Sequence, residues 1–108
     1  MDTVKLFDVT YRITYVDKPS EVDLQGRQAL WGQVDYWTRT IRVLAGERSA
    51  TDQRQTLWHE ILHALCDKLH LQVTAGALVD DEHAIDLLAT GVNTILLDNP
   101  WLQEPPRD

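Results

Sequence analysis

The sequence of 108 residues has little of several residue types, and each scarcity excludes a class of protein. It has one cysteine, Cys66, which excludes an intrachain disulfide and fits a reducing compartment. Basic residues are few, with ten Lys and Arg against seventeen Asp and Glu. The resulting net charge of −7 argues against nucleic acid as a partner, because phosphate binding needs a basic face. With no signal-peptide pattern and no apolar run long enough for a bilayer, we expect a cytoplasmic protein that binds no membrane.

The negative charge is concentrated in one half of the chain. Residues 1–54 carry as many basic as acidic side chains, whereas residues 55–108 carry two basic and nine acidic ones. All four histidines also lie in that second half. A hydrophobic content of 44% predicts a single globular domain over residues 1–108, with about residues 101–108 forming a frayed tail. The second half is therefore where we expect carboxylates and imidazoles to act together.

The first half reads as β-structure. Apolar and polar residues alternate from Val9 to Val16, which is typical of a half-buried strand. Residues 30–36 and Thr40–Leu44 form two more β-prone runs around a bend at 37–39, which predicts a hairpin. The segment 21–29 fits either a loop or a short helix. We expect an N-terminal antiparallel sheet.

The second half reads as two helices, over about residues 52–69 and 80–97. Ser49 or Thr51 can cap the first helix. Its wide apolar arc predicts a helix largely enclosed by the domain, with a stripe of Trp58, Leu62, Leu65 and Leu69. The fold class expected from both halves is α+β.

The first helix contains the sequence His59-Glu60-Ile61-Leu62-His63, an HExxH motif. Two histidines four residues apart project from one face of a helix and can share one metal ion. Metal coordination lowers the pKa of a bound water toward ~7, so Glu60 can act as general base on it. The alternative is that His59 and His63 are ordinary polar-face residues, but they lie on a strongly apolar helix.

A catalytic zinc needs a third protein ligand. The extended motif HExxHxxGxxH is excluded, because Leu69 occupies its third histidine position. We favour Glu82, nineteen residues after His63 and in the first turn of the second helix. Asp86 lies four residues further on the same helical face, where it could accept a hydrogen bond from a zinc-binding imidazole.

Glu82 also has a simpler explanation, as a carboxylate favoured by the positive end of the helix dipole. Three neighbours compete with it as ligands: Asp80, Asp81 and His83. His83 is the strongest of these because imidazole binds zinc well. Cys66 is better explained as an inert buried thiol, and Asp67 as a solvated helix residue.

HExxH with a later Glu-x-x-x-Asp resembles the gluzincin class of zinc metallopeptidases. The compact layout over about residues 30–101 is similar to the very small, often phage-encoded metallopeptidases related to the ImmA/IrrE group. The resemblance implies a minimal zincin-like domain holding one Zn²⁺ ion and hydrolysing peptide or protein substrates. It implies zinc ligation by His59, His63 and Glu82, with Glu60 as the base. Asp86 would orient a zinc-bound histidine.

Several residues outside the motif are weaker candidates for a role in the site. The candidates for stabilising an oxyanion are Tyr36, Arg39, His70 and His83. Thr40–Leu44 is the candidate edge strand for binding an extended substrate, and Trp37 is the tryptophan expected to be exposed. A non-enzymatic interaction module, with a structural zinc closed by a fourth ligand such as His83, is the competing function. A deformylase is disfavoured: that family has a cysteine ligand upstream of the HExxH helix, whereas the single cysteine of this chain, Cys66, lies downstream of the motif.

Overall fold

The computed structural model describes residues 2–23, 31–71 and 82–107 of the chain. Within these ranges the chain forms a mixed four-stranded sheet and three α-helices, followed by a 3-10 helix at Pro100–Gln103. The strands are β1 (Thr3–Leu6), β2 (Val9–Val16), β3 (Gly32–Asp35) and β4 (Thr40–Leu44). The helices are α1 (Pro19–Val22), α2 (Ala50–Lys68) and α3 (Glu82–Asp98). The expected α+β class is confirmed.

The sheet has the strand order β1-β2-β4-β3. β1 and β2 pair antiparallel, as do β3 and β4, but β2 and β4 pair parallel. The expectation of an antiparallel sheet is therefore wrong. The connection between β2 and β3 is long enough for a crossover, so the β3–β4 hairpin joins the sheet with β4 innermost.

This order also corrects the expected edge strand. Thr40–Leu44 is β4, which lies between β2 and β3, and β3 forms that edge of the described sheet. Period-2 alternation identifies a strand but carries no information about its neighbours. Arg42 of β4 links this edge strand to helix α1. Its Nη2 donates to Gln33 Oε1 of β3 at 2.7 Å, and its Nε donates to the Val22 carbonyl of α1 at 2.8 Å.

Helix α2 lies across one face of the sheet, against β3 and β4. Ser49 caps it as expected, with the Asp52 N–H donating to Ser49 Oγ at 3.1 Å. The expected enclosure of the helix is wrong, because Leu62, in the predicted stripe, is 41% exposed. Only one side of α2 meets the sheet, and that side is centred on Leu57 and Ile61. The other side is open to solvent.

The hydrophobic core lies between the sheet and helices α2 and α3. Gly91 of α3 meets α2 closely, since a Cβ at this position would lie 2.7 Å from Leu65 Cδ1. None of the helices in the described residues combines the length and apolarity required to cross a membrane. The buried core side chains are Val4, Leu6, Tyr11, Ile13, Ile41, Val43, Leu57, Ile61, Ala64, Leu65, Ile95 and Leu102.

The C-terminal segment is anchored rather than frayed. Helix α3 ends at Asp98, and the buried Asn99 bonds to strand β1: Lys5 N–H donates to Asn99 Oδ1 at 2.8 Å, and Asn99 Nδ2 donates to the Lys5 carbonyl at 2.7 Å. Leu102 is only 6% exposed. The expectation of a frayed tail at 101–108 is therefore wrong for the residues in the 3-10 helix, because the side chain of Leu102 enters the core.

Candidate active site

His59 and His63 lie one turn apart on the exposed side of α2, and their rings converge. The two Nε2 atoms are 3.1 Å apart, the ring centroids are 4.7 Å apart and the ring planes meet at 74°. Two nitrogen ligands of a tetrahedral zinc, each bound at ~2.0–2.1 Å, lie about 3.3 Å apart. The imidazole pair therefore fits two positions in the coordination sphere of one zinc ion.

Glu60 lies beside the pair but points toward strand β3. Its side chain is buried, with 7% of its surface exposed. A Cβ on Gly32 of β3 would lie 3.0 Å from Glu60 Cγ and 3.1 Å from Glu60 Oε2. Burial raises the pKa of the Glu60 carboxyl, and the neighbouring His59 and His63 oppose this rise only in part. Gly32 therefore makes room for a carboxyl group that has lost much of its hydration.

The histidine pair and Glu60 share an open cavity of about 310 Å³ that runs along the edge strand. Gly32 and Val34 project from β3 onto the side of the sheet that α2 covers, because alternate strand residues share a face. The lining residues are Gly32, Gln33, Val34, Tyr36, His59, Glu60 and His63. This arrangement places the two imidazoles and the carboxyl beside a strand edge.

Of the four candidate oxyanion donors, Tyr36 lies in this cavity. Burial, followed by the charge of Asp67, raises the pKa of Tyr36 to about 12, so its hydroxyl keeps its proton at neutral pH. Arg39 lines a neighbouring cavity that shares Tyr36. His70, just after α2, and His83, in the first turn of α3, are exposed and do not belong to the described lining of the site.

The predicted third ligand is not assembled with the pair. Across residues 2–23, 31–71 and 82–107, no three His, Cys, Asp or Glu side chains are close enough together to hold a metal ion. Helix α3 instead approaches α2 at Leu65, on the core side of that helix, while the imidazoles face outward. Glu82, His83 and Asp86 are exposed, and their roles stay predictions. Asp80 and Asp81 lie outside the described residues.

Cys66 and Asp67 follow His63 on α2. Cys66 is partly buried, and this burial raises the pKa of its thiol, which therefore stays protonated at neutral pH. A protonated thiol is a poor zinc ligand, so the expectation of an inert group agrees with its surroundings. Asp67 is exposed, as expected, and lines the cavity next to Tyr36.

Gly32 is the residue of the site that the sequence analysis did not single out. The sequence did contain a signal for it, because a glycine inside a predicted strand often marks the close approach of another backbone or side chain. What approaches it, however, is decided by the packing of α2 on β3. Comparisons of the chain with protein-family models, with curated proteins and with solved structures gave no match, so the geometry of this site carries the functional argument.

Proposed function

We propose that the chain is a zinc-dependent metallopeptidase of minimal gluzincin type, with a zincin-like fold similar to that of the ImmA/IrrE group. The convergence of the His59 and His63 Nε2 atoms to 3.1 Å, next to the buried Glu60, is the observation that carries this proposal. These imidazoles would hold the zinc together with Glu82. Glu82 rests on the sequence pattern, in which Asp86 follows it on the same helical face.

Zinc, when bound, supplies a Lewis acid that polarises a carbonyl group and acidifies water. Glu60 then works as the general base: its carboxylate accepts one proton from the attacking water and passes it to the nitrogen of the leaving amine. The carboxylate is regenerated once the peptide bond is broken. The missing side chain of Gly32 leaves the space that this buried carboxyl occupies, and a fixed position of the base favours a short proton transfer.

Tyr36 is the best-placed donor for the developing oxyanion. Its hydroxyl is neutral at neutral pH and its side chain lines the same cavity as the histidines. A neutral phenol donates a hydrogen bond to a negative oxygen without first losing its own proton. We expect Tyr36→Phe to lower kcat with little change in zinc affinity.

The substrate would bind as an extended strand along β3. Main-chain hydrogen bonds to an edge strand align a peptide whatever its side chains are. The cavity with the histidine pair follows this edge, which supports β3, in place of the expected Thr40–Leu44, as the strand that binds substrate.

The test is zinc content and peptide hydrolysis measured on the same preparations. Wild type and Glu60→Gln are each expected to bind about one equivalent of zinc, but only wild type hydrolyses peptide. His63→Ala should lose both properties. Glu47→Gln, which changes an exposed glutamate in the loop before α2, is the matched control and should keep both.

Two results would refute the proposal: no zinc in wild type, or unchanged hydrolysis by Glu60→Gln. Chelation gives a second measurement, because zinc bound only to the native state stabilises it by about 2.7 kcal/mol at a hundredfold excess over Kd. Removing the metal should therefore lower the melting temperature of wild type but not that of His63→Ala.

The competing function is an interaction module with a structural zinc. Such a site needs four protein ligands, for instance with His83 completing the set. The open cavity beside the imidazoles favours the enzyme, since a substrate needs access to the metal. A zinc coordination sphere containing four protein side chains would favour the module instead.

A further inference from the structure

A second cavity adjoins the histidine pair on the N-terminal side of α2. It measures about 290 Å³ and shares Gly32, His59 and Glu60 with the candidate active site. Its remaining described walls are Trp31, from just before β3, and two residues one turn before the motif, Gln55 and Thr56. The two cavities therefore adjoin the same Glu60 side chain.

Trp31 forms the outer wall of this second cavity and is held there although 67% of its surface is exposed. The guanidinium of Arg48 lies over the indole ring, 4.8 Å from its centroid. Arg48 is itself fixed, since Nη1 donates to the Leu44 carbonyl at 2.7 Å and Nη2 to Thr56 Oγ1 at 2.7 Å. The Trp31 carbonyl also accepts from Leu44 N–H at 2.7 Å.

An exposed indole fixed at the rim of a cavity is suited to binding an apolar side chain. Trp31 offers a large flat apolar surface at a small loss of conformational entropy, because its position is already set by Arg48. Gly32 contributes backbone with no side chain to fill the space. The carboxyl of Glu60 borders the cavity and would repel an acidic group.

We propose that Trp31, held by Arg48, walls a side-chain pocket that makes the site select peptides with a large apolar residue, such as Leu or Phe, next to the scissile bond. This inference rests on the proposed peptidase function. It assigns the selectivity to Trp31 and Arg48, which lie outside the motif, and it can be tested by binding as well as by turnover.

The binding test uses zinc-loaded Glu60→Gln, which should bind peptides without cleaving them. Three peptides differ only at one central residue, which is Leu, Ala or Asp. We expect the Leu peptide to bind about tenfold more tightly than the Ala peptide, and the Asp peptide to bind no more tightly than the Ala peptide, because a carboxylate gains nothing from contact with the apolar indole. Adding Trp31→Ala should remove the preference for Leu, while Trp31→Phe should retain most of it.

Trp37 provides the matched control. It is 95% exposed at the β3–β4 turn and does not belong to the described lining of either cavity. Trp37→Ala removes the same surface area from the side chain and should leave the preference intact. Arg48→Gln should weaken the preference by releasing the indole, and melting temperatures report whether each variant remains folded.

In wild type, Trp31→Ala should lower kcat/KM for the Leu peptide about tenfold, through KM, and leave the Ala peptide unchanged. Equal binding of the Leu and Ala peptides, or a preference for Leu that survives Trp31→Ala, would refute the proposal that Trp31 forms a selective pocket. If wild type cleaves none of the peptides while Glu60→Gln still prefers Leu through Trp31, the peptidase proposal fails and the pocket stands.

Discussion

Gly32→Ala tests whether the close packing of β3 on α2 positions Glu60. The added methyl group would lie 2.7 Å from Thr56 Cγ2, closer than carbon atoms pack, and 3.0 Å from Glu60 Cγ. Gly32 lies in an extended strand, whose backbone alanine adopts readily. The strain is therefore steric, and either α2 as a whole or the side chains of Thr56 and Glu60 must move.

The expected loss of stability is the difference between two effects. Overpacking of a close contact costs about 1–3 kcal/mol. Replacing glycine by alanine at a compatible backbone position gains ~0.4–1 kcal/mol by restricting the unfolded chain. Gly32→Ala should therefore lower the free energy of unfolding by roughly 0.5–2 kcal/mol, measured by urea denaturation as a lower midpoint at unchanged slope.

The control is a double-mutant cycle with Thr56→Ser. Serine removes the Cγ2 methyl but keeps the hydroxyl that accepts from Arg48 Nη2 at 2.7 Å. Gly32→Ala should be less destabilising in the Thr56→Ser background, by at least about 0.5 kcal/mol. An equal loss in both backgrounds, or a gain in stability from Gly32→Ala alone, would refute the steric reasoning.

Gly32→Ala should also separate zinc binding from catalysis. The methyl group displaces the Glu60 carboxyl, whereas His59 and His63 lie on the exposed side of α2 and keep their geometry. We expect kcat to fall by tenfold or more at nearly unchanged zinc affinity, because proton transfer is sensitive to small displacements. A parallel loss of zinc would show that the contact supports the metal site itself.

Three further predictions concern single side chains. Burial raises the pKa of Glu60 above its unfolded value, so in the metal-free protein the stability that Glu60 contributes is present at acidic pH and is lost as the pH rises through the raised value; Glu60→Gln should remove this contribution, measured by urea denaturation across the pH range, and an unchanged profile would contradict it. Asn99→Ala should destabilise the fold by about 2–4 kcal/mol, since the backbone N–H and carbonyl of Lys5 both lose their side-chain partner, whereas Asn93→Ala on the exposed side of α3 should change it by less than about 0.5 kcal/mol. Glu82→Gln should weaken zinc binding at least tenfold if Glu82 is the third ligand, and equal affinities for the variant and wild type would remove it from the set.

Local patterns predicted several elements well. The alternation over Val9–Val16 identified β2 with its observed bounds, because a half-buried strand repeats with period two, and the β-prone residues of Thr40–Leu44 identified β4. The sequence offered Ser49 or Thr51 as the cap of α2, because either hydroxyl can satisfy a free N–H in the first turn, and the structure shows Ser49. The same reasoning failed at the C-terminus, where Leu102 enters the core and Trp101 packs against it although the residues that follow are polar or proline.

The sequence by itself determined the relation between His59, Glu60 and His63. A helical repeat puts residues four apart on one face and the next residue about 100° away, so the imidazoles converge and the carboxyl points elsewhere. This follows from local geometry alone. The observed Nε2 separation of 3.1 Å agrees with it.

Only the tertiary structure decided what surrounds these three side chains. It placed β3 rather than β4 at the edge of the described sheet, set Gly32 against Glu60, and held Trp31 beside the site through Arg48. It also brought α3 against Leu65 of α2. These relations join residues far apart in the chain, and they depend on strand order and on how side chains fill the space between α2 and the sheet. No periodicity along the sequence encodes them.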